Sequence, residues 1–516
     1  MKPLVRFAEA LAADATTRDR YGLSDDMLME AAAIGMAARI ESDESLAAAM
    51  DSASVPAAAI CGRGNNGGDA LAVLRRLAFS GRNGLVAIVQ DNPGHATSRR
   101  LDEAGLAGVT ILSPEDGDKA RLAVSSAGLV LDGLSGVGFR GPRRQENSGL
   151  AALVDHARGP VIAIDVPSGT GPLADPGSDP QPPVAATRTL CIEPLKAELF
   201  YPGYRRFSGV VVPVGGVFHH SAGSSSTISL LDKGDLGSFL PGIDQDYHKG
   251  HRGALCVFAG AVGSTGAAAL CARAGSASGA GSVTLLVRDA IVPVLSGLLV
   301  SQMVRPVSSP GTRRFQAVVA GPGWGEDEAN ARILEELWNA ALPLVLDADA
   351  LGLLAADRKS GRCSPLVLTP HPGEFAPLAA VAAGSDPHDQ GALELARRRA
   401  AFDTAAIVSE TAERFRAVVV LKGAVTWIGD PDGRLAVWDG REPAMATAGS
   451  GDVLAGLAGG FLARGAPAWD AAVAAVIVHG LAGRAAGSCA AGFYEAEALL
   501  GPAARLSYGR GIDGNA

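Results

Sequence analysis

Cysteine is scarce in this chain. The six, at 61, 191, 256, 271, 363 and 489, make no CxxC pair and no short metal-ligand spacing, which excludes a disulfide framework and suits reduced thiols in a cytosolic enzyme. Basic clusters are missing as well. Lys and Arg number 45 against 54 Asp and Glu, for a formal charge of −9, and no segment gathers the cations that a nucleic-acid or anionic-membrane surface requires. Long apolar runs are lacking too: none is expected to reach the roughly 18 residues of a spanning helix, since the Ala-rich stretch 471–483 is broken by His479 and Gly480. The first twenty residues acquire Arg6, Glu9 and Asp14 too soon to form a signal-peptide apolar region. The expectation is a soluble, cytoplasmic homo-oligomer that acts on a small molecule and has neither nucleic acid nor membrane as a partner.

What is present is ample apolar material, 47% of 516 residues, enough for more than one core. Segments 7–15 and 25–40 read as helices. Short apolar runs at 55–61, 86–90, 109–112, 128–132, 161–166, 188–192 and 209–214 are separated by helix-length segments, the pattern of a parallel three-layer α/β domain. Residues 219–229, HHSAGSSSTIS, are polar, Ser-rich and without periodicity, and set the expected division into domains 1–220 and 221–516. A second α/β series follows at 254–259, 282–287, 316–320, 344–347, 366–368 and 417–421. In such sheets the chemistry belongs in the loops at the carboxyl ends of the strands.

Three groups of loops carry it. In MATAGSGDVLAGL, 445–457, small residues Gly449, Ser450 and Gly451 lead into a helix that is apolar at 453, 454, 457 and 461. That places backbone N–H groups at an anion and Asp452 beside it. The same residues would also make an ordinary helix cap. In CGRGNNGGDALAVLRRL, 61–77, Gly62, Gly64 and Gly67 spell GxGxxG between strand and helix, with Asp91 after the next strand. Asn65, Asn66 and Asp69 add a polar density that suits ligand or cation coordination, although a glycine-rich turn with capping asparagines would look similar. Asp132 and Asp165 end two further strands, and Ser168 follows in VPSG. Asn66, Asp132 and Ser168 thus offer hard oxygen donors, and Asp165 a candidate acid/base.

These motifs resemble a known family. GRGNNGGD, DGLSGVGFRGP and AIDVPSG are similar to the NAD(P)H-hydrate epimerase domain, while AGPGWG, LDADAL, TPHPGEF, VVLKGAVT and ATAGSGDVLAGL are similar to the ADP/ATP-dependent NAD(P)H-hydrate dehydratase domain, in the order of the bifunctional repair enzymes. The resemblance covers nearly the whole chain. It implies a Rossmann-like first domain and a ribokinase-like second one, with epimerisation of the R and S hydrates in the first and dehydration of the S form, driven by ADP or ATP, in the second. It implies hydrate-binding positions at Asn65, Asn66, Gly67, Gly68, Asp69, Gly136, Val137, Gly138, Phe139, Arg140, Gly141, Pro142 and Asp165, and potassium ligands Asn66, Asp132 and Ser168; epimerisation needs a carboxylate that exchanges one proton, and Asp165 is the expected catalytic residue. For the second domain it implies substrate positions Ala267, Gly323 and His371, nucleotide positions Lys422, Gly423, Ala424, Val425, Thr426 and Gly451, Mg²⁺ on the nucleotide phosphates, and Asp452 as catalytic carboxylate. The chain departs from the family pattern at TGPLADPG, after VPSG, and at EPLK, 193–196.

Other classes fit parts of the pattern. GxGxxG also suits a Rossmann dehydrogenase, and AGSGD a small-molecule kinase of the ribokinase-like superfamily. A non-catalytic Rossmann-like binding module is a third reading of the N-terminal half.

Overall fold

The computed structural model describes residues 1–139, 145–171, 182–219, 226–308, 315–357, 359 and 361–509. The chain forms two compact units, one of residues 3–226 with 401–403, the other of residues 1–2, 227–400 and 404–516. The expected boundary at residue 220 falls outside the described residues.

The first unit is built on a parallel sheet in the order Thr110–Leu112, Val86–Val89, Val55–Cys61, Ala127–Gly133, Val161–Ile164, Arg188–Ile192, Val210–Val214. Its strands are apolar without a break because both faces are covered. Side chains alternate across a strand, so Ala57, Ala59 and Cys61 join one core with Met36, Ile40 and Leu74, while Ala58 and Ile60 join another with Ala120, Val124 and Leu150. From Val55–Cys61 the chain first builds outward through Val86–Val89 and Thr110–Leu112, then returns to lay Ala127–Gly133 on the other side. The order reverses between those two strands, and the crevice outside their carboxyl ends is where such a sheet takes a ligand. The expected helices are present and longer, Phe7–Tyr21 and Asp25–Ser42.

The second unit carries Met303–Pro306, Ser282–Val287, Ala254–Phe258, Ala317–Ala320, Leu344–Leu346, Leu366–Leu368, Val418–Leu421, Val425–Gly429, Leu435–Asp439 and Ile228–Leu230 in that spatial order. Pairing is parallel as far as Val418–Leu421, then turns antiparallel through the hairpin Val425–Gly429/Leu435–Asp439. The hairpin, Met303–Pro306 and Ile228–Leu230 were not anticipated, and the last begins inside the Ser-rich segment 219–229 that set the expected division. Helices Thr265–Ala277 and Ser450–Ala463 lie close together because glycines let them: a Cβ on Gly456 would stand 2.3 Å from the Cys271 carbonyl oxygen, and one on Gly460 1.7 Å from Ser278 Oγ. Their N-terminal ends therefore open at one place.

One expectation is corrected. Helix Ala468–Ala490, 23 residues, is long and apolar enough to cross a membrane by length and composition. His479 and Gly480 do not interrupt it, since neither breaks a helix supported by packing. Within its most apolar window 61% is buried inside the protein, and Val473, Ile477 and Val478 belong to the core of the second unit.

Candidate active sites

In the first unit the carboxyl ends of the strands open on a cavity of 930 Å³ lined by Asn65, Asn66, Asp69, Gly136, Val137, Gly138, Phe139 and Asp165, with Arg63, Gln90 and Lys196 among its other walls. Arg140, Gly141 and Pro142 lie outside the described residues, as does most of TGPLADPG. The glycines of the loop divide the work. A Cβ on Gly62 would lie 2.0 Å from the Leu134 carbonyl oxygen and one on Gly67 2.1 Å from that of Gly62, so both are required for close packing of backbone on backbone. Gly64, which caps helix Asn65–Phe79, meets nothing within 4 Å. Its exposed flank leaves room for a ligand.

Asp165 follows strand Val161–Ile164 in left-handed conformation, φ 63°, unusual for a residue with a Cβ. Its Oδ1 accepts from Lys196 Nζ at 2.6 Å and from the Ile192 N–H at 3.0 Å. Both side chains are buried. Burial works to lower the Lys196 ammonium, but the charges of Asp165 and its neighbours outweigh it and hold the group above its ordinary value. Asp69 is pushed well above the carboxylate range by burial and by Asp165. The cavity therefore holds one carboxylate ion-paired with a lysine and a second inclined to keep its proton. Lys196, in the EPLK stretch, had been given no role from sequence.

Asn66, Asp132 and Ser168 come together through Ser135. Asn66 Nδ2 donates to the Ser135 carbonyl at 3.1 Å, and Ser168 Oγ accepts from the Ser135 N–H at 2.8 Å and donates to its carbonyl at 3.2 Å. Asp132 Oδ2 accepts from the Ser168 N–H at 2.8 Å. A Cβ on Gly136 would lie 3.2 Å from Asn66 Oδ1, so glycine there keeps that amide oxygen open. Carboxylate, amide and hydroxyl oxygens with a single formal charge fit a weakly held monovalent cation better than a divalent one.

In the second unit Gly449, φ 90°, precedes helix Ser450–Ala463, and Asp452 stands in its first turn. The Ser450 N–H is engaged by the Thr447 carbonyl at 3.3 Å. Lys422, at the end of strand Val418–Leu421, lies across the same turn: a Cβ on Gly451 would be 3.2 Å from its Nζ. That ammonium donates to Asp347 Oδ1 at 2.7 Å and sits 3.8 Å from Glu374 Oε2, while Thr369 Oγ1 donates to the same Asp347 oxygen at 2.8 Å. Asp452 is pushed up to about 7, first by burial, then by Asp347, with Lys422 opposing. Ala267 and Gly323 are adjacent, a Cβ on Gly323 falling 3.0 Å from that of Ala267. Gly423 and Ala424 form the turn into strand Val425–Gly429, where Thr426 Oγ1 donates to the Gly423 carbonyl at 3.2 Å.

His371 has a local task. Its Nδ1 accepts from the Gly373 and Glu374 N–H groups, capping helix Pro372–Ala382, and its ring is 57% exposed. Asp347, Glu374 and His479 were missed as individuals, although the first two lie in motifs the sequence had marked. His479, on the helix Ala468–Ala490, is 2.8 Å through Nε2 from the Ser450 carbonyl. Burial pushes its imidazole down to about 4, so the neutral ring donates from Nε2 and steadies the turn that carries Asp452. Among the described residues no three His, Cys, Asp or Glu side chains gather as a metal-ion site.

Residues 255–500 match the family model described as NAD(P)H-hydrate dehydratase, and residues 25–197 that described as YjeF-related protein N-terminus. The bifunctional NAD(P)H-hydrate repair enzyme Nnr of Escherichia coli K12 is 32% identical over 436 residues, 82% of this chain and 79% of its own length. The enzyme of the same name from Mycobacterium tuberculosis H37Rv is 34% identical over 467 residues, covering 87% of each chain. Among solved structures, the ADP/ATP-dependent NAD(P)H-hydrate dehydratase of Bacillus subtilis, co-crystallised with ATP and Mg²⁺, is 26% identical, with a TM-score of 0.46 and coverage of 54% of this chain and 97% of that one.

Proposed function

The chain belongs to the bifunctional NAD(P)H-hydrate repair enzymes, and from that premise we propose a division of labour between one carboxylate in each unit. The protein interconverts the R and S hydrates of NADH and NADPH and dehydrates the S form at the expense of a nucleoside phosphate. The observation that carries the assignment is the contrast between the two carboxylates. Asp165 is ion-paired with Lys196 at 2.6 Å, whereas Asp452 has no such direct partner among the described residues and is pushed up to about 7 by burial.

In the first unit the hydrate lies in the cavity with its hydroxyl at Asp165. The carboxylate takes the hydroxyl proton and passes a proton to the ring nitrogen, which keeps the electron pair as its bond to the hydrated carbon opens to an aldehyde; closure on the other face reverses both transfers. Lys196, bonded to Asp165, positions that carboxylate. Potassium, held by Asn66, Asp132 and Ser168, would fix the Ser135–Phe139 loop over the substrate.

In the second unit hydroxide is the poor leaving group to be replaced. Asp452 removes the hydroxyl proton while that oxygen attacks the terminal phosphoryl group of ADP or ATP. Phosphate then departs from the hydrated carbon as the ring-nitrogen lone pair forms an iminium, and loss of a proton from the adjacent ring carbon restores the dihydropyridine. Lys422 faces the transferring group beside the Gly451 N–H and offsets the charge that develops there. Mg²⁺, held chiefly by nucleotide phosphate oxygens, would supply further neutralisation. Ala267, Gly323 and His371 border the hydrate, and Lys422 to Thr426 the nucleotide. A cytoplasmic site of action and a homo-oligomeric assembly complete the proposal.

The reading is tested by giving the protein mixed NADH hydrates with ADP or ATP, with and without potassium. Reduced nicotinamide should rise with equimolar inorganic phosphate, and replacing potassium by a bulky organic cation should slow the R-to-S step alone. Accumulation of a stable phosphorylated hydrate without reduced cofactor would make the second unit a kinase instead.

A further inference from the structure

The groups that react in the first unit all come from strand ends and the loops after them, yet one wall of the cavity is a helix. Ala10, Leu11, Asp14 and Arg18 line the cavity, and their spacing puts them on one face of Phe7–Tyr21. Gly22, φ 67°, ends that helix in left-handed conformation. The chain then turns so that Asp25, the first residue of the next helix, returns to Arg18. Leu28, Met29 and Ala32 of the same helix, Asp25–Ser42, add an apolar surface to the wall.

Arg18 serves both carboxylates with one nitrogen. Its Nη1 donates to Asp14 Oδ2 at 2.9 Å and to Asp25 Oδ1 at 2.8 Å. Among the described residues no further hydrogen bond engages Arg18 Nη2 or Asp14 Oδ1. The half-buried pair therefore presents an acceptor beside a donor at the cavity wall. A primary carboxamide is the complement of that arrangement, since its NH2 donates and its carbonyl accepts.

Charge decides which end of a dinucleotide lies here. Asp14, Asp25, Asp69 and Asp165 all line the cavity. Burial raises the Asp14 carboxyl above its ordinary value, Arg18 opposes, and Asp25 and Asp165 add to the rise. A pyrophosphate brought to this wall would join a group of carboxylates that already repel one another, whereas the N-terminal end of helix Asn65–Phe79, capped by Gly64, favours an anion. The phosphates therefore lie toward Gly64 and the uncharged ring toward Asp14. On the hydrated ring the carboxamide and the hydroxylated carbon occupy opposite positions. With the hydroxyl at Asp165, the carboxamide points away from it, and Asp14 feels the Asp165 charge without bonding to it, as a ring held between the two requires.

We propose that Asp14 and Arg18 form a subsite for the carboxamide of the hydrated nicotinamide ring and make the first unit select that amide over the hydrate carrying a carboxylate in its place. The proposal rests on the epimerase reading of this cavity. Asp14 accepts from the amide NH2, and Arg18 donates to the amide oxygen. A ring carboxylate would keep the bond from Arg18 but would meet Asp14 as a second anion, and it is this like-charge contact that discriminates.

The test follows interconversion of the R hydrates of NADH and of its nicotinic acid counterpart by the full chain without nucleotide, so that dehydration does not contribute. The unsubstituted protein should favour the amide hydrate in kcat/KM by about tenfold or more, the scale of a hydrogen bond to a charged group. Asp14→Asn keeps an acceptor, removes the charge and leaves Arg18 held by Asp25, and should shift the ratio about tenfold or more toward the acid. Arg18→Met leaves Asp14 and removes the donor, and should shift the ratio the other way. A ratio near one for the unsubstituted protein, or a ratio that either folded variant leaves unchanged, would overturn the subsite. No interconversion of the amide hydrate by the unsubstituted protein would overturn the epimerase reading itself.

Discussion

Lys196 shows how much one side chain can hold in place. Removing it as Lys196→Met would leave the Asp165 charge buried without its cation, and breaking such a pair costs about 3 kcal/mol or more. We expect a clear fall in urea-denaturation stability together with loss of R-to-S exchange. The double variant Lys196→Met/Asp165→Asn should regain much of the stability and none of the exchange; if it regains activity, the carboxylate is not the group that moves the proton. Asp452 makes a different prediction. As a base it must be ionised, and burial with Asp347 pushes it up to about 7. The kcat/KM of dehydration should therefore rise with pH through a limb near 7, and a profile flat between about pH 6 and about pH 8 would contradict its role. At this scale the motif residues were legible because glycine, asparagine and aspartate in tight succession have few uses. Lys196 was not, because one lysine in an apolar strand end looks like any other until the fold brings it to Asp165 from 31 residues away.

Helices and strands determine where these groups point. The turn at Gly449–Asp452 is held from behind by His479, which comes from a different helix. His479→Ala should remove the bond to the Ser450 carbonyl and lower kcat for dehydration about tenfold with little change in KM for the nucleotide, whereas His479→Gln, which keeps a donor, should recover part of the loss. Equal damage to kcat and KM in both variants would mean that the ring only fills space. In the first unit, Glu198 Oε1 accepts from the Phe7 N–H at 2.8 Å and so caps the helix Phe7–Tyr21, whose residues Ala10, Leu11 and Asp14 wall the cavity. Burial pushes this carboxyl up to about 7 from 4.5, with the Phe7 N–H opposing. The folded chain thus keeps a proton that the unfolded chain releases: the contribution to stability is full below about 4.5 and is lost as pH rises toward 7, a change on the order of 3 kcal/mol. Glu198→Gln should flatten the dependence of stability on pH between about 5 and about 8, and an unchanged slope would refute it. The strands were legible wherever an apolar run was bounded by glycine or acid. The hairpin Val425–Gly429/Leu435–Asp439 was missed although Asp430–Gly433 is a clear turn, because Lys422 to Thr426 had been read as a ligand loop alone. Helix Ala468–Ala490 was misjudged for the opposite reason: a histidine and a glycine were taken to break it, whereas packing in the core supports both.

For the whole molecule, two α/β units and their order along the chain could be read from the alternation of apolar runs and from the paired motif sets. What could not be read was which strand ends face each other, since that depends on where the sheet order reverses. The reversal between Val55–Cys61 and Ala127–Gly133 gathers Asn66, Asp132 and Ser168, already grouped from the sequence, around Ser135, which was not. The central claim is that each unit carries its own reacting carboxylate. The most direct measurement supplies R and S NADH hydrates in equal amounts with ADP and follows both isomers and reduced cofactor for Asp165→Asn and Asp452→Asn. Asp165→Asn should convert the S hydrate and stop near half completion, apart from spontaneous exchange. Asp452→Asn should equilibrate the isomers while dehydration falls by roughly 10²–10⁴-fold. If either substitution abolishes both reactions in a chain that remains folded, or neither affects the reaction assigned to it, the account is wrong.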